Sequence, residues 1–237
     1  MSLFAPPRCA YTLRALAWLL RYPDAALRAH LGELRSALHA ERALNAGRLA
    51  EVDALIERLQ GLPPLRAEAE YVELFDRGRG TALHLFEHVH GDSRERGPAM
   101  IDLAQTYAQA GLALAPGELP DYLPVLLEYA STQPAAQARA FLAEFAHLLQ
   151  RLLAALLRRQ SPYAALAAAL LDLAGQRAQP VELPEEPELD DSWAEPPAFD
   201  GCSQQGQARR EPPPPIHLVR RAPAAAPATP TATGARS

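Results

Sequence analysis

Residues 141–157, FLAEFAHLLQRLLAALL, form the most regular amphipathic segment of the chain, and they decide the fold class. Apolar side chains recur there at three- and four-residue steps, which is the period of an α-helix with one buried face. The apolar residues are Leu142, Phe145, Leu149, Leu152, Leu153 and Leu156. Arg158 and Arg159 follow at the C-terminal end, where the helix dipole favours cations. The spacing predicts one helix over Phe141–Leu157, central to the core.

The same periodicity extends on both sides of this helix, from about Tyr11 to Gly175. β-Branched residues are scarce and strand signals are nearly absent. Glycine and proline clusters divide the region into about eight helices, with breaks at 22–24, 61–64, 78–80, 91–97, 116–120 and 161–162. Such helices can bury their apolar stripes only against each other. The predicted fold is therefore all-α, a single compact helical bundle over residues 1–177.

The composition changes after about Arg177. About half of the 23 prolines lie beyond this point, including the run 212–215, and an acidic run covers 182–195. Such a segment cannot form a core of its own, so residues 178–237 are predicted to be a disordered acidic and Pro-rich tail. Two apolar groups within it are candidate anchor points: Trp193 with Phe199, and the segment 216–219.

Charge and cysteine content narrow the function classes. All 23 basic residues are arginine, and the net charge is -5. This balance argues against nucleic-acid binding and suits a cationic peptide partner. Cys9 and Cys202 are too far apart for a zinc motif and too few for a disulfide framework. The sequence predicts two free thiols in a reducing compartment.

The N-terminal region gives the expected location. Its apolar run, Leu13 to Leu20, is too short to span a bilayer and is interrupted by Arg14. It also lacks the basic n-region and the small-residue cleavage site of a signal peptide. We therefore expect a cytoplasmic protein without stable membrane insertion.

Polar functional groups are densest in two neighbouring segments, 70–80 (EYVELFDRGRG) and 84–94 (HLFEHVHGDSR). One interpretation is that the histidines are ordinary polar residues that bind loop carbonyls and carboxylates. Another is a recognition surface, in which aromatic and acidic side chains line a groove for a cationic amphipathic peptide. A third interpretation is a metal site.

The metal interpretation depends on His84, Glu87 and His88, which form the H-x-x-E-H pattern of an inverzincin-type zinc peptidase. Such a site needs a third protein ligand and a helix that continues past the pair. Gly91 ends this segment at once. His90 could be the third ligand, but it shares a very short span of chain with the other two histidines and the glutamate. A metal-dependent hydrolase is therefore the alternative function. On these residues alone the three interpretations stay open.

Two segments resemble a known family. Residues 71–103, YVELFDRGRGTALHLFEHVHGDSRERGPAMIDL, resemble the signature region of the NarJ-type nitrate reductase molybdenum cofactor assembly chaperones. Residues 120–129, PDYLPVLLEY, resemble a motif of the wider group of redox-enzyme maturation chaperones that includes TorD and DmsD. The chain departs from that wider group at Tyr122, where many members carry His, and at Tyr129, which replaces Phe.

The resemblance implies a TorD-like helical chaperone that is not part of the mature enzyme. Its partner would be the immature catalytic (alpha) subunit of respiratory nitrate reductase, bound through the N-terminal, twin-arginine-derived peptide while the molybdenum cofactor is inserted. The chaperone itself would perform no covalent catalysis. Regions 71–94 and 120–128 would form the groove that binds this client peptide.

Individual roles within this groove are hypotheses that follow from the resemblance. The expected aromatic walls are Tyr71, Phe75, Phe86 and Tyr122. The expected acceptors for peptide Arg or Lys are Asp76, Glu87, Asp92, Asp121 and Glu128. Arg77, His84, His88 and His90 complete the predicted set. Two alternatives stay open, because Asp121 suits a helix cap and Glu128 suits a buried partner such as an arginine. Histidines beside carboxylates also suggest that binding varies with pH between about 5.5 and 7.5.

Overall fold

Most helix ends coincide with the predicted glycine and proline clusters, but the breaks at 42–45 and 133–134 were not among the predicted ones. The computed structural model describes residues 8–77, 79–89 and 95–181. Within these ranges nine α-helices follow one another: α1 Ala10–Leu19, α2 Ala25–Glu41, α3 Ala46–Gly61, α4 Pro64–Phe75, α5 Arg96–Gln109, α6 Leu123–Thr132, α7 Ala135–Glu144, α8 Ala146–Arg158 and α9 Ala164–Ala174. Short 3₁₀ helices cover Arg79–Thr81 and Leu85–His88. Since the described ranges contain no β-strand, the all-α prediction is confirmed.

Local capping explains several of these ends. The Asp24 carboxylate accepts a hydrogen bond from the Leu27 N–H at 2.8 Å and caps α2. The Asn45 side chain accepts from the Arg48 N–H at 2.9 Å and caps α3. Both residues satisfy an N–H that has no partner within its own helix. At the other end of the fold, α9 terminates at Gly175, whose φ of 72° is readily adopted only by glycine.

The prediction of one helix over Phe141–Leu157 is wrong, because the segment consists of α7 and α8, which meet at a 67° bend. Phe145 lies at the break with φ -94° and ψ 4°, and its N–H bonds to the Leu142 carbonyl at 3.2 Å, three residues back. The bend lets both helices pack against α9. A straight helix would carry one of the two apolar faces away from α9. The periodicity is almost unchanged across one tight turn, so the sequence pattern did not show the break.

The core is organised around α9, which is apolar except for the exposed Asp172 and packs against α3, α7 and α8. Leu166, Leu170 and Leu171 are fully buried within it. The apolar face of α8 covers α9 as predicted, through Leu149 and Leu152 among others. On the other side of the bundle, α1 packs between α2 and α6. This arrangement leaves the C-terminal end of α1 beside the N-terminal end of α6, and the site forms at that junction.

In the described part of the chain no single helix has both the length and the apolar composition to cross a membrane. Together α7 and α8 have both, but they are bent relative to each other by 67°. The described elements belong to one compact unit, Met1–Glu186. The predicted boundary at 177/178 stays a prediction. The tail, with Trp193, Phe199, Cys202 and the segment 216–219, lies outside the described residues.

Candidate functional site

The two segments that were predicted to share a groove lie side by side. The Leu85 N–H donates to the Asp121 carbonyl at 3.0 Å, and the Leu123 N–H donates to the Leu83 carbonyl at 2.9 Å. These bonds form an isolated antiparallel bridge between His84 and Tyr122. The two rings stack with their centroids 5.1 Å apart. The bridge therefore fixes the loop before α5 against the start of α6, although 37 residues separate His84 from Asp121 along the chain.

Asp121 lies beneath this bridge and is fully buried. One carboxylate oxygen lies 3.3 Å from His84 Nδ1, and the other accepts a hydrogen bond from the Phe86 N–H at 3.2 Å. An Arg96 nitrogen lies 3.8 Å from the second oxygen. The interpretation of Asp121 as the cap of its own helix is wrong. Tyr122 is the residue that precedes α6, and the Asp121 side chain instead satisfies an N–H of the 3₁₀ helix Leu85–His88.

The two histidines of the H-x-x-E-H pattern have different environments. The hydrogen bond with Asp121 raises the pKa of His84 above its usual value, against the opposing effect of burial. His88 Nε2 lies 2.8 Å from the Ala82 carbonyl oxygen, and burial lowers the pKa of this ring. The pattern lies on a single 3₁₀ turn rather than an α-helix. Within residues 8–77, 79–89 and 95–181, no three His, Cys, Asp or Glu side chains form a group suited to a metal ion.

Aromatic residues of α4 form one wall of the site. The Tyr71 hydroxyl donates to the Leu20 carbonyl at the end of α1, at 2.8 Å. The Tyr71 ring lies 5.7 Å from the ring of Tyr22 and 4.7 Å from that of Phe75. Burial raises the pKa of the Tyr71 hydroxyl far above the physiological range, so it remains a hydrogen-bond donor. Tyr163 packs behind this wall, with its ring 5.1 Å from that of Phe75.

These elements enclose the central cleft, a cavity of about 460 Å³. Its lining residues are Tyr22, Tyr71, Phe75, Asp76, Ala82, Leu83, His84, Glu87 and Tyr122. Six of them belong to the predicted set. Asp76 and Glu87 are exposed, whereas Tyr71 and Phe75 are buried. The central cleft thus combines an aromatic interior with two accessible carboxylates.

The remaining predicted residues lie elsewhere. Arg77 pairs with Glu73 on α4 at 2.8 Å. Phe86 packs against the core, and His88 is directed to Ala82. Glu128 is half exposed and pairs with Arg21 at 3.6 Å, so its partner is an arginine but the pair is not buried. His90 and Asp92 lie outside the described residues.

Sequence reasoning missed three features of the site. Tyr22 was interpreted only as a helix end, and Arg96, 3.6 Å from Glu87, was not considered. It also missed a neighbouring cavity of about 330 Å³, which we call the second cleft. This cavity is lined by Arg14, Trp18, Tyr107, Leu112, Ala113, Leu114, Glu118, Val125, Glu128, Tyr129, Ser131 and Thr132. The available signal was the pair of aromatic residues Trp18 and Tyr22, of which the first lies near the end of α1 and the second just beyond it.

Comparison with known proteins agrees with this architecture. The family model described as "Nitrate reductase delta subunit" matches residues 22–169. NarJ of Escherichia coli K12, named a nitrate reductase molybdenum cofactor assembly chaperone, is 47% identical over 156 residues, which cover 66% of this chain and 66% of NarJ. NarW of the same strain is 43% identical over 163 residues, covering 69% of this chain and 68% of NarW.

A solved structure from Archaeoglobus fulgidus, described as a candidate redox enzyme maturation protein, has a TM-score of 0.50 and 19% identity. It covers 74% of this chain and 99% of its own length. That likeness concerns the fold, and it agrees with the predicted TorD-like bundle. The predicted resemblance to the NarJ-type chaperones is confirmed by the family model and the curated relatives together. The chain belongs to the nitrate reductase delta subunit family.

Proposed function

We propose that this chain is an assembly chaperone for respiratory nitrate reductase. It binds the immature catalytic (alpha) subunit in the cytoplasm through the N-terminal peptide of that subunit, and it supports insertion of the molybdenum cofactor. Family membership and the similarity to the Escherichia coli assembly chaperone NarJ support the chaperone role. The N-terminal peptide is the ligand that the family resemblance implies, and the chemistry of the central cleft suits a basic amphipathic peptide of this kind.

The composition of the central cleft carries this proposal. Its interior presents the rings of Tyr71, Phe75 and Tyr122, while Asp76 and Glu87 lie at exposed positions. An amphipathic peptide with basic residues suits such a surface, because its apolar side chains gain burial and its cations meet carboxylates. The apolar contacts supply most of the affinity, and the charges orient the peptide.

The buried network beneath the cleft keeps this surface in one conformation. Asp121 holds the His84 ring and the Phe86 N–H, and Tyr71 ties α4 to the end of α1. Asp121 therefore acts as a positioning residue and not as a direct acceptor for peptide cations. A preformed cleft reduces the entropy lost when the peptide binds.

The chaperone role requires no bond making or breaking by this chain. The molybdenum cofactor is cargo for the client, and the chain's part is to hold the client in an insertion-competent, unassembled state. The chain needs no cofactor of its own for that role. It leaves the client once the cofactor is in place.

The proposal is tested by assembly in cells. A strain that makes the cognate nitrate reductase but lacks its own assembly chaperone receives this chain, and the molybdenum content of the purified catalytic subunit is measured. We expect the wild-type chain to restore molybdenum loading. A catalytic subunit that loads molybdenum equally well without the chain would refute the chaperone role.

A pair of charge variants connects this role to the central cleft. Asp76→Asn combined with Glu87→Gln should lower molybdenum loading severalfold. Glu33→Gln combined with Glu57→Gln removes the same charge from exposed positions on α2 and α3 and should leave loading unchanged. Equal loading with both double variants would move the client site away from the central cleft.

A further inference from the structure

Arg21 lies at the boundary between the two clefts, just beyond the end of α1. One guanidinium nitrogen lies 3.3 Å from a Glu118 oxygen, and another lies 3.6 Å from a Glu128 oxygen. The guanidinium carbon lies 5.7 Å from the centre of a Trp18 ring. Strong charge-assisted contacts are shorter, at about 2.7–2.9 Å. Arg21 is therefore held by two carboxylates and an aromatic face, but tightly by none of them.

The second cleft has the composition of a site for a cationic side chain. Trp18, Tyr107 and Tyr129 supply aromatic surface, and Glu118 and Glu128 supply two carboxylates. The lining also contains one cation, Arg14, whose Nε donates to the Ser131 hydroxyl at 3.1 Å, so the carboxylates outnumber it. Aromatic faces and carboxylates together are the groups that bind guanidinium and ammonium ions in proteins. The cavity of about 330 Å³ has room for a long side chain next to these groups.

The two clefts border each other on both sides of the junction. At the end of α1, Trp18 lines the second cleft and Tyr22 lines the central cleft. In the segment before α6, Glu118 lines the second cleft and Tyr122 lines the central cleft. Arg21 lies between the members of the first pair. Arg21 contacts Trp18, Glu118 and Glu128 of the second cleft and is the neighbour of Tyr22 of the central cleft along the chain.

We propose that the second cleft is a subsite for an additional arginine or lysine of the bound client peptide, and that Arg21 occupies its carboxylates until that residue displaces it. This inference rests on the proposed function, since it extends the same peptide site. Arg21 then acts as an internal competitor that raises selectivity. A peptide with a basic residue at the correct position gains Glu118 and Glu128, whereas a peptide without one leaves Arg21 in place.

Because all three charged side chains are partly exposed, the free-energy cost of displacing Arg21 is low. The Arg21, Glu118 and Glu128 side chains are 38%, 30% and 49% exposed. Ion pairs at such positions contribute little to stability because water solvates the separated charges. The fold does not depend on them either, since α1 and α6 are joined by buried residues such as Leu16 and Leu126. Arg21 can therefore move away without disturbing the bundle.

Calorimetric titration with two sets of components tests the inference. The proteins are wild type, Arg21→Ala, Arg21→Gln and the control Arg35→Ala. Arg35 also bridges two carboxylates, at 3.1 Å from Asp53 and 3.2 Å from Glu57, but on α2 and α3. The ligands are a synthetic peptide of the N-terminal segment of the cognate catalytic subunit and versions in which each Arg or Lys is replaced by Gln.

Both Arg21 variants should bind the unmodified peptide more tightly, by about three- to tenfold, since the competitor is gone. That gain should disappear for the one peptide version that lacks the displacing residue. The gain in affinity should also be absent when Glu118→Gln and Glu128→Gln are added to Arg21→Ala. Arg35→Ala should leave the affinity within twofold of wild type, about the difference that a remote surface charge makes.

Three results would overturn the inference while leaving the proposed function intact. One is normal wild-type binding with no gain in either Arg21 variant. Another is an equal gain with Arg35→Ala, which would indicate general electrostatic attraction. The third is a gain of the same size for every peptide version. If the wild-type chain does not bind the unmodified peptide at all, the peptide-binding proposal fails together with this inference.

Discussion

Asp121 is a carboxylate that has lost all contact with bulk water, and its partners explain how the site tolerates it. A buried charge is stable only when hydrogen bonds and opposite charge replace the solvent. His84, the Phe86 N–H and Arg96 provide these interactions from a different part of the chain. The sequence showed an aspartate before a helix, for which capping is the common role. Its actual partners are tertiary contacts, so local pattern could not reveal them.

Replacing the Asp121 carboxylate by an amide should change the titration of His84. In Asp121→Asn the amide oxygen can still accept the Phe86 N–H, but the charge that favours imidazolium is gone. We expect the pKa of His84 to fall relative to wild type, as followed by NMR of the ring protons. Asp102→Asn, on the exposed face of α5, is the control and should leave it unchanged. An unaltered His84 pKa in Asp121→Asn would show that Asp121 is not its main partner.

The two histidines should shift the pH dependence of stability in opposite directions. His84 has a raised pKa, so its contribution is complete below the unfolded value of about 6.5 and is lost as pH rises through the folded pKa. His88 has a lowered pKa, so its contribution is complete above about 6.5 and is lost as pH falls toward the folded pKa. Urea unfolding at several pH values measures both.

Relative to wild type, His84→Gln should therefore lose more stability at pH 6 than at pH 8, within about pH 5.5 to 8 where histidines titrate. His88→Gln should show the opposite trend over the same range. If the stability loss of the two variants relative to wild type changed with pH in the same direction, the assigned environments would be contradicted. The sequence predicted pH sensitivity from three histidines near acids. It could not assign the directions, because these depend on burial and on Asp121.

At the scale of elements, most helix positions could be predicted from the sequence, but the bend at Phe145 could not. Glycine, proline and capping residues act locally, so the ends at Asp24, Asn45 and Gly61 follow from the chain itself. The bend arises because α7 and α8 both cover α9. The pairing of residues 83–85 with 121–123 also has no local signal, and the family resemblance implied only that regions 71–94 and 120–128 share a groove.

Two tyrosines test how the elements around the clefts are held together. The Tyr107 hydroxyl on α5 donates to the Pro120 carbonyl at 2.9 Å, next to Asp121. The buried Tyr163 hydroxyl has no hydrogen-bond partner among the described residues. Tyr107→Phe leaves a buried carbonyl unsatisfied and should cost about 1–2 kcal/mol of unfolding free energy.

Tyr163→Phe removes an unpaired polar group, so it should be neutral or stabilising by up to about 1 kcal/mol. Urea unfolding gives both free energies, and the two substitutions are chemically identical. A cost at Tyr163 equal to that at Tyr107 would show that the Tyr163 hydroxyl has a partner in solution. The difference between the two changes in unfolding free energy measures the hydrogen bond that joins α5 to the segment before α6.

At the scale of the whole molecule, the net charge of -5 and the acidic clefts indicate an electrostatic contribution to peptide binding. Salt screens exposed charges over about 10 Å at 0.1 M ionic strength and about 3 Å at 1 M. We therefore expect the affinity for a basic client peptide to fall severalfold over that range while the fold is unchanged. Asp76→Asn with Glu87→Gln should lose much of this dependence. The same salt dependence in that double variant would contradict an electrostatic role for the central cleft.

The measurement that bears most directly on the central cleft as the client site is a calorimetric titration. The ligand is the N-terminal peptide of the cognate nitrate reductase catalytic subunit. We expect saturable one-to-one binding to the wild-type chain, about tenfold weaker binding to Asp76→Asn with Glu87→Gln, and wild-type binding to Glu33→Gln with Glu57→Gln. No binding to the wild-type chain, or the same loss in both double variants, would contradict a client peptide held in the central cleft.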